Sequence, residues 1–130
     1  MRILLAEDDF VTRKFMSNFL SRYGECDVTV DGMEAVEAFM MALEEGEPYN
    51  LVCLDIMMPI MDGYQALAKI RNMEKEYQIP EEKAAKIIIA TALNDEKNVQ
   101  MAFELGCTIY SNKPIDQDRF EEELKKLGLI

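Results

Sequence analysis

Short apolar runs alternate with longer amphipathic segments from one end of the 130-residue chain to the other. The runs have the length of buried strands, and the segments between them have the length of helices. A chain with this order of elements folds as repeated β-α units around a parallel sheet. The predicted fold class is therefore α/β, a doubly wound five-stranded parallel sheet with five helices. The strands are predicted at residues 3–6, 28–30, 51–54, 87–91 and 108–110.

The predicted helices carry start and stop signals. Asp31 and Asp62 each have a capping-box partner three residues later, and Asn94 precedes an acidic first turn. The segment 72–86 is charged and interrupted by Pro80, which predicts a frayed helix end followed by a surface loop. Four glycines stand where helices are expected to end, namely Gly24, Gly46, Gly106 and Gly128.

The charge of the chain limits its partners. It has 25 acidic and 14 basic residues, a formal net charge of −11. Such a charge repels nucleic-acid phosphates and anionic lipids, so direct binding to nucleic acid or to a membrane is not expected. No stretch is apolar enough for a membrane span, and the length fits one domain, predicted to cover residues 1–130.

The three cysteines and the absence of histidine exclude several kinds of site. Cys26, Cys53 and Cys107 are odd in number and lack the C-x-x-C spacing of zinc sites. The simplest prediction is a reducing compartment, the cytoplasm, with Cys53 as a core residue inside an apolar run. Without imidazole, every catalytic triad that uses histidine as its base is also excluded.

Polar residues follow four of the predicted strands. They are Glu7, Asp8 and Asp9 after the first strand, Asp55 after the third, Thr91 at the end of the fourth, and Lys113 after the fifth. The carboxyl ends of parallel strands share one edge of the sheet, where open α/β folds bind their ligands. Converging carboxylates repel one another unless a cation lies between them, and an all-oxygen ligand set favours Mg²⁺.

These residue types suit phosphoryl transfer. Asp8, Asp9 and Asp55 are predicted to hold the metal, and Asp55 is predicted to act as the nucleophile and become an acyl phosphate. Lys113 supplies a positive charge and Thr91 supplies a hydroxyl donor for the oxygens of the phosphoryl group.

Four motifs carry a resemblance to a known family: EDD at 7–9, DIMMPIMDG at 55–63, TA at 91–92 and YSNKP at 110–114. With them the chain resembles a response-regulator receiver domain of two-component signalling, similar to chemotaxis receivers, over essentially its full length. The D-x-x-M-P-x-M-D-G spacing with a later K-P is specific, whereas any one motif alone is weak. The resemblance implies a flavodoxin-like strand order 2-1-3-4-5, and no effector domain is expected in this chain.

The resemblance also implies roles for the acidic residues. Asp8, Asp9 and Asp55 would bind Mg²⁺, and the backbone carbonyl of Met57 would complete the metal shell. Asp55 would accept a phosphoryl group from a sensor histidine kinase, a phosphotransfer protein or a small phosphodonor. The chain would then be a phosphorylation-dependent switch and not an enzyme, its only reactions being self-phosphorylation and self-dephosphorylation at Asp55.

By the same resemblance, Thr91 and Lys113 contact the phosphoryl group, and Tyr110 is the aromatic residue whose rotamer follows phosphorylation. A cis peptide bond is expected between Lys113 and Pro114. The modified surface would bind a downstream target protein, and a phosphorylation-dependent homodimer stays open as a further partner.

Other readings of the same residues stay open. Asp8 and Asp9 could cap the first helix, where acidic residues interact well with the helix dipole. A magnesium phosphatase of the haloacid dehalogenase type also uses an Asp nucleophile, but it needs a second Asp at the position of Met57. A receiver-fold scaffold that binds its partner without phosphorylation is the third reading.

The lifetime of the phosphate is expected to be long. Hydrolysis needs an oriented water, and polar side chains two residues after the acceptor Asp and two after the Thr can assist it. Here these positions are Met57 and Leu93, which are both apolar. Slow self-dephosphorylation is therefore predicted.

Overall fold

The structure is a computed structural model that describes residues 1–130. Five parallel strands form one sheet and, numbered along the chain, lie in the order 2-1-3-4-5, which confirms the predicted fold class and strand order. A short 3₁₀ turn at Glu81–Lys83 precedes the fourth strand. The elements are β1 Arg2–Ala6, α1 Phe10–Leu20, β2 Glu25–Thr29, α2 Gly32–Glu44, β3 Leu51–Leu54, α3 Gly63–Glu76, β4 Lys86–Thr91, α4 Glu96–Glu104, β5 Ile109–Asn112 and α5 Gln117–Lys126.

The sheet has a hydrophobic core on each face. On one face, Leu4 and Val52 pack in a cluster with residues of α2 and α3. On the other face, Ile3 and Leu51 pack in a cluster with residues of α1 and α5. All four residues of β3 are buried, because a strand in the middle of a parallel sheet is covered on both sides.

Aspartates cap all five α-helices. In each case the side chain accepts a hydrogen bond from a backbone N–H of the first turn, which satisfies a group that has no partner inside the helix. Asp62 and Gln65 form the predicted capping box at the start of α3. The predicted start at Asn94 is wrong by one residue, since Asp95 is the cap. The five caps are Asp9, Asp31, Asp62, Asp95 and Asp116.

The bounds of β1, β4 and β5 differ from the prediction by one or two residues, and those of β2 differ most. Strand β2 begins at Glu25 and not at residue 28, because pairing with β1 defines this edge strand and its first residues are not apolar. As predicted, the segment 72–86 contains a helix end and a loop, since helix α3 ends at Glu76. Its polar end is anchored by the buried Glu74, which accepts hydrogen bonds from Arg71 and from the backbone N–H of Ala85.

The register of the sheet brings the strand ends together. Ala6 lies level with Leu54, and Leu54 lies level with Ile89. At the neighbouring edge, Thr91 lies level with Asn112. The residues that follow these strands therefore leave the sheet side by side. None of the helices combines the length and the hydropathy needed to cross a membrane.

Candidate functional site

Asp55 lies at the end of β3 in the middle of the site. Its side chain is buried, with 7% of the residue exposed. Oδ2 of Asp55 accepts a hydrogen bond of 2.8 Å from Nζ of Lys113, and the same ammonium donates to Oε2 of Glu7 at 2.7 Å. One lysine therefore joins two buried carboxylates, on the residues that directly follow β1 and β3.

Three carboxylates converge at this edge of the sheet. Oxygen atoms of Glu7, Asp8 and Asp55 lie within 4.8 Å of one another. Oδ1 of Asp55 is buried and has no hydrogen-bond partner. A buried carboxylate oxygen without a partner is costly, and a cluster of oxygen ligands is what a hard cation requires. The residues present therefore fit a divalent metal ion.

Asp9, which is also predicted to bind the metal, lies outside this cluster of carboxylates. Its side chain caps α1, where Oδ2 accepts hydrogen bonds from the backbone N–H of Thr12 at 2.9 Å and from its hydroxyl at 2.6 Å. These bonds hold the pKa of Asp9 below its usual value. The capping reading is thus right for Asp9, whereas Glu7 takes the place next to Asp8 in the cluster.

The electrostatics of the site follow from burial and pairing. Burial disfavours the charge of Lys113, but its hydrogen bonds to Asp55 and Glu7 outweigh burial and raise its pKa. Burial raises the pKa of Glu7, and repulsion from Asp55 adds to that effect, although the hydrogen bond from Lys113 opposes both. The ammonium therefore stays charged, and it compensates part of the negative charge of the cluster.

Thr91 and Tyr110 connect the site to its flanking loop. Thr91 is buried at the end of β4, and its hydroxyl accepts a hydrogen bond of 3.3 Å from the backbone N–H of Leu93. The hydroxyl of Tyr110 donates to the backbone carbonyl of the same Leu93. Residues of β4 and β5 thus both hold the turn after β4. The pKa of Tyr110 rises to about 12, chiefly because the side chain is buried.

A sequence model described as the response regulator receiver domain matches residues 3–125. This chain belongs to that family. The chemotaxis protein CheY of Treponema pallidum is 34% identical to it over 125 residues, which are 95% of this receiver domain and 79% of that protein. A probable histidine kinase 2 of Oryza sativa subsp. indica is 33% identical over 132 residues, or 94% of this chain, but only 12% of the kinase is covered. The receiver domain thus corresponds to a small part of that relative.

Solved structures share the fold over nearly the whole receiver domain. CheY of Borrelia burgdorferi, in a complex described as CheX-CheY-BeF3-Mg²⁺, has a TM-score of 0.83 and 25% identity, with 98% of this chain and 89% of that chain covered. The receiver domain of the histidine kinase CKI1 of Arabidopsis thaliana, complexed with Mg²⁺ and BeF3⁻, has a TM-score of 0.79 and 25% identity, with 96% and 89% covered.

In this receiver domain, the loop after Asp55 is held by close backbone contacts with the start of α3. A Cβ on Gly63 would lie 2.2 Å from the carbonyl oxygen of Asp55, so only glycine fits at the start of α3 beside this backbone. The backbone N–H of Gly63 also donates to the carbonyl of Ile56 at 2.8 Å. The side chain of Met57 lies on the outside of this loop, with 64% of the residue exposed.

The last predicted site residues also have defined positions. The peptide bond between Lys113 and Pro114 is cis, as predicted. The backbone N–H of Lys113 donates to the carbonyl of Thr91 at 2.8 Å, which extends the β4–β5 pairing to the residue that reaches Asp55. Leu93 is half-buried at the turn after β4. The structure thus brings together Asp8, Asp55 and Lys113 and adds Glu7.

Proposed function

We propose that this receiver domain accepts a phosphoryl group on Asp55 and acts as a signalling switch. The observation that carries this proposal is the state of the Asp55 carboxylate. One oxygen is held by Lys113, and the other is buried without a partner beside two further carboxylates. Such an arrangement favours a carboxylate that is oriented for nucleophilic attack. It also favours binding of a cation, which would be stabilised by the unpaired oxygen and its neighbouring carboxylates.

Asp8 and Asp55 are proposed to hold Mg²⁺, with Glu7 beside them and the backbone carbonyl of Met57 as a further ligand. Mg²⁺ prefers oxygen ligands and neutralises charge on a transferred phosphoryl group. In this chain the donor set is made of carboxylates without any histidine. Asp9 is left out of the proposed ligand set because it caps α1.

The reaction is an in-line displacement at phosphorus. A carboxylate oxygen of Asp55 forms the new P–O bond, while the bond from phosphorus to a histidine nitrogen, or to the acyl oxygen of acetyl phosphate, breaks. The leaving group keeps the electron pair of the broken bond. Lys113 remains a cation and donates to the oxygens of the phosphoryl group, so that the added charge of about −1.5 to −2 is partly compensated.

Thr91 and Tyr110 are proposed to transmit the change. The hydroxyl of Thr91 would turn from its contact with Leu93 toward the phosphoryl oxygens. The turn after β4, which Tyr110 also holds, would then be released from one of its contacts. A switch needs contacts that differ between its two states, and these hydrogen bonds are the ones that phosphorylation can exchange.

The proposed partners are proteins. A sensor histidine kinase or a phosphotransfer protein would supply the phosphoryl group, and a downstream target or a second phosphorylated copy would bind the altered surface. We place this exchange in the cytoplasm. The net charge of −11 argues against direct contact with nucleic acid or membrane. Hydrolysis of external phosphate esters is not proposed, since Met57 stands where a phosphatase of the alternative type needs a carboxylate.

The deciding experiment is the intact mass after incubation with acetyl phosphate and Mg²⁺. Wild type is expected to gain about 80 Da, the mass of one phosphoryl group, whose charge drives the switch. Asp55→Asn and wild type with a chelator are the controls, and neither should gain mass. A folded wild-type protein that binds Mg²⁺ but stays unmodified would overturn the proposal and favour a scaffold that works without phosphorylation.

A further inference from the structure

Arg13 holds the backbone at the end of β1. Its Nη1 donates to the carbonyl oxygen of Glu7 at 3.0 Å and to that of Asp8 at 3.2 Å. These two residues carry two of the three carboxylates of the acidic cluster. One guanidinium nitrogen therefore binds the carbonyls of two successive residues, and the side chains of these residues form one wall of the site.

Arg13 binds backbone carbonyls and not carboxylates. It is half-buried, and it takes part in none of the ion pairs of the chain. Its guanidinium carbon lies 5.6 Å from the centre of the Phe10 ring, which gives the group a second support on the turn it holds. The cation thus leaves the carboxylates of Glu7 and Asp8 free for other partners.

The position of Arg13 is unfavourable for the helix itself. It is the fourth residue of α1, close to the positive end of the helix dipole, where a cation is disfavoured. A residue that served only the helix would be neutral or acidic at this position. An arginine can bind both carbonyls at this position, because a guanidinium presents several donors in a fixed plane.

We propose that Arg13 is a positioning residue that holds the turn between β1 and α1, so that the carboxylates of Glu7 and Asp8 face Asp55 before a cation binds. The proposal rests on the proposed function, because it names the residue that prepares the metal-binding half of that site. Arg13 touches neither the cation nor the phosphoryl group. It acts by limiting the conformations of the two residues whose carbonyls it binds.

Loss of Arg13 should weaken Mg²⁺ binding more than it weakens the fold. Partners that orient metal ligands commonly contribute 10- to 100-fold to metal affinity, so Arg13→Ala is expected to raise the dissociation constant about tenfold. The free energy of unfolding should change little, since the lost hydrogen bonds are offset by removal of a cation from the helix start. Arg13→Lys should recover only part of the affinity, because a single ammonium fits the two carbonyls less well.

The test combines two measurements that do not require phosphorylation. Isothermal titration with Mg²⁺ gives the affinity of wild type, Arg13→Ala, Arg13→Lys and Arg13→Gln. Amide hydrogen exchange on the metal-free proteins gives the protection of the turn at residues 8–12. Arg22→Ala is the matched control, since Arg22 lies just beyond the other end of the same helix and its guanidinium rests over the Phe19 ring.

The proposal requires a weaker Mg²⁺ affinity and faster exchange at residues 8–12 in Arg13→Ala, with neither change in Arg22→Ala. Arg13→Gln, which keeps a donor without the charge, should be intermediate and serves if the alanine variant does not fold. Unchanged Mg²⁺ affinity in folded variants would overturn the proposal. Failure of wild type to become phosphorylated would count against the proposed function alone, since both measurements here remain available.

Discussion

Lys113 donates a hydrogen bond of 2.8 Å to Asp55, a residue 58 positions earlier in the chain, and Glu7 shares the same ammonium. In Lys113→Ala, two buried carboxylates would face each other without a cation. Removal of one partner from a buried pair is costly, and because Lys113 is partly exposed we expect a loss of about 2 to 3 kcal/mol in the free energy of unfolding. Urea unfolding without Mg²⁺ measures this loss.

Lys125→Ala is the control for that experiment, since Lys125 is exposed and lies 3.9 Å from Glu121 on α5. An exposed pair of this kind contributes less than about 0.5 kcal/mol. Addition of Mg²⁺ should narrow the difference between wild type and Lys113→Ala, because the cation takes over part of the compensation. Equal urea midpoints for the two lysine variants would contradict the assigned role of Lys113.

Asp8 and Asp9 should respond differently to loss of charge. Asp8→Asn removes a carboxylate of the acidic cluster, so Mg²⁺ affinity is expected to fall at least about tenfold. Asp9→Ser keeps a side-chain oxygen that can cap α1, and the affinity should stay within about twofold of wild type. Titration calorimetry decides between them. A larger loss of affinity in Asp9→Ser than in Asp8→Asn would restore the ligand set predicted from the sequence.

Met57 is expected to set a slow rate of phosphate loss. Its side chain is exposed beside Asp55 and offers no hydrogen bond to a water molecule. Met57→Asn should therefore speed hydrolysis of the phosphorylated protein by about tenfold, since a polar group can orient the attacking water. The decay of the mass adduct after removal of acetyl phosphate gives the rate. Ile60→Asn, on the same exposed loop, is the control and should decay as wild type does.

Tyr110 should make the stability of the receiver domain depend on alkaline pH. Its folded pKa is raised from 10.0 to about 12, first by burial. The unfolded chain therefore loses this proton at a lower pH than the folded chain, and stability falls as pH rises from 10 toward 12. At neutral pH, Tyr110→Phe should be less stable by about 1 kcal/mol because the hydrogen bond to Leu93 is lost.

The difference between wild type and Tyr110→Phe should shrink as pH rises above 10, since only wild type has this proton to lose. Urea midpoints of both proteins across this range measure the effect. Tyr49, Tyr64 and Tyr23 also have raised pKa values, so both proteins are expected to lose some stability. Parallel curves for the two proteins would show that Tyr110 has an ordinary pKa.

Gly63→Ala should be strongly destabilising, because its Cβ would overlap the backbone of Asp55 and Ile56. A clash with backbone cannot be relieved by a rotamer change, and we expect a loss of about 3 kcal/mol. Gly46→Ala is the matched control, with a left-handed φ of +74° and open space around the Cβ. It should lose only about 1 kcal/mol. Thermal unfolding of both variants provides the comparison, and similar losses would contradict the predicted clash.

The sequence was sufficient for the order of elements because buried parallel strands and capped helices leave strong local patterns. Strand β3 was predicted with its observed bounds, since all four of its residues are apolar. Strand β2 was predicted too short, because the ladder to β1 and not its own hydropathy defines it. The local hydropathy pattern thus identifies the buried elements, but it underestimates the length of a strand that is defined by pairing with a neighbouring strand.

The same limit explains the exchange of Glu7 and Asp9. Both belong to the EDD motif, and local spacing does not show which carboxylate points into the site. The register of the sheet shows this. Ala6 lies level with Leu54, so the residues that follow them, Glu7 and Asp55, lie side by side. Asp9 lies where a helix needs its cap, a strong local demand that competes with metal binding. Knowledge of the register would have placed Glu7 beside Asp55.

The two residues that Lys113 joins are contributed by strands near the beginning and the middle of the chain, and Glu7 is 106 positions away from it. A polypeptide that is still being synthesised, or that has been cut before β5, contains Asp55 but lacks this ammonium. Its acidic residues have no cation of the chain between them, and their strands have not yet formed the complete sheet. The proposed phosphorylation of Asp55 would therefore require the whole domain, and incomplete copies would not transmit a signal.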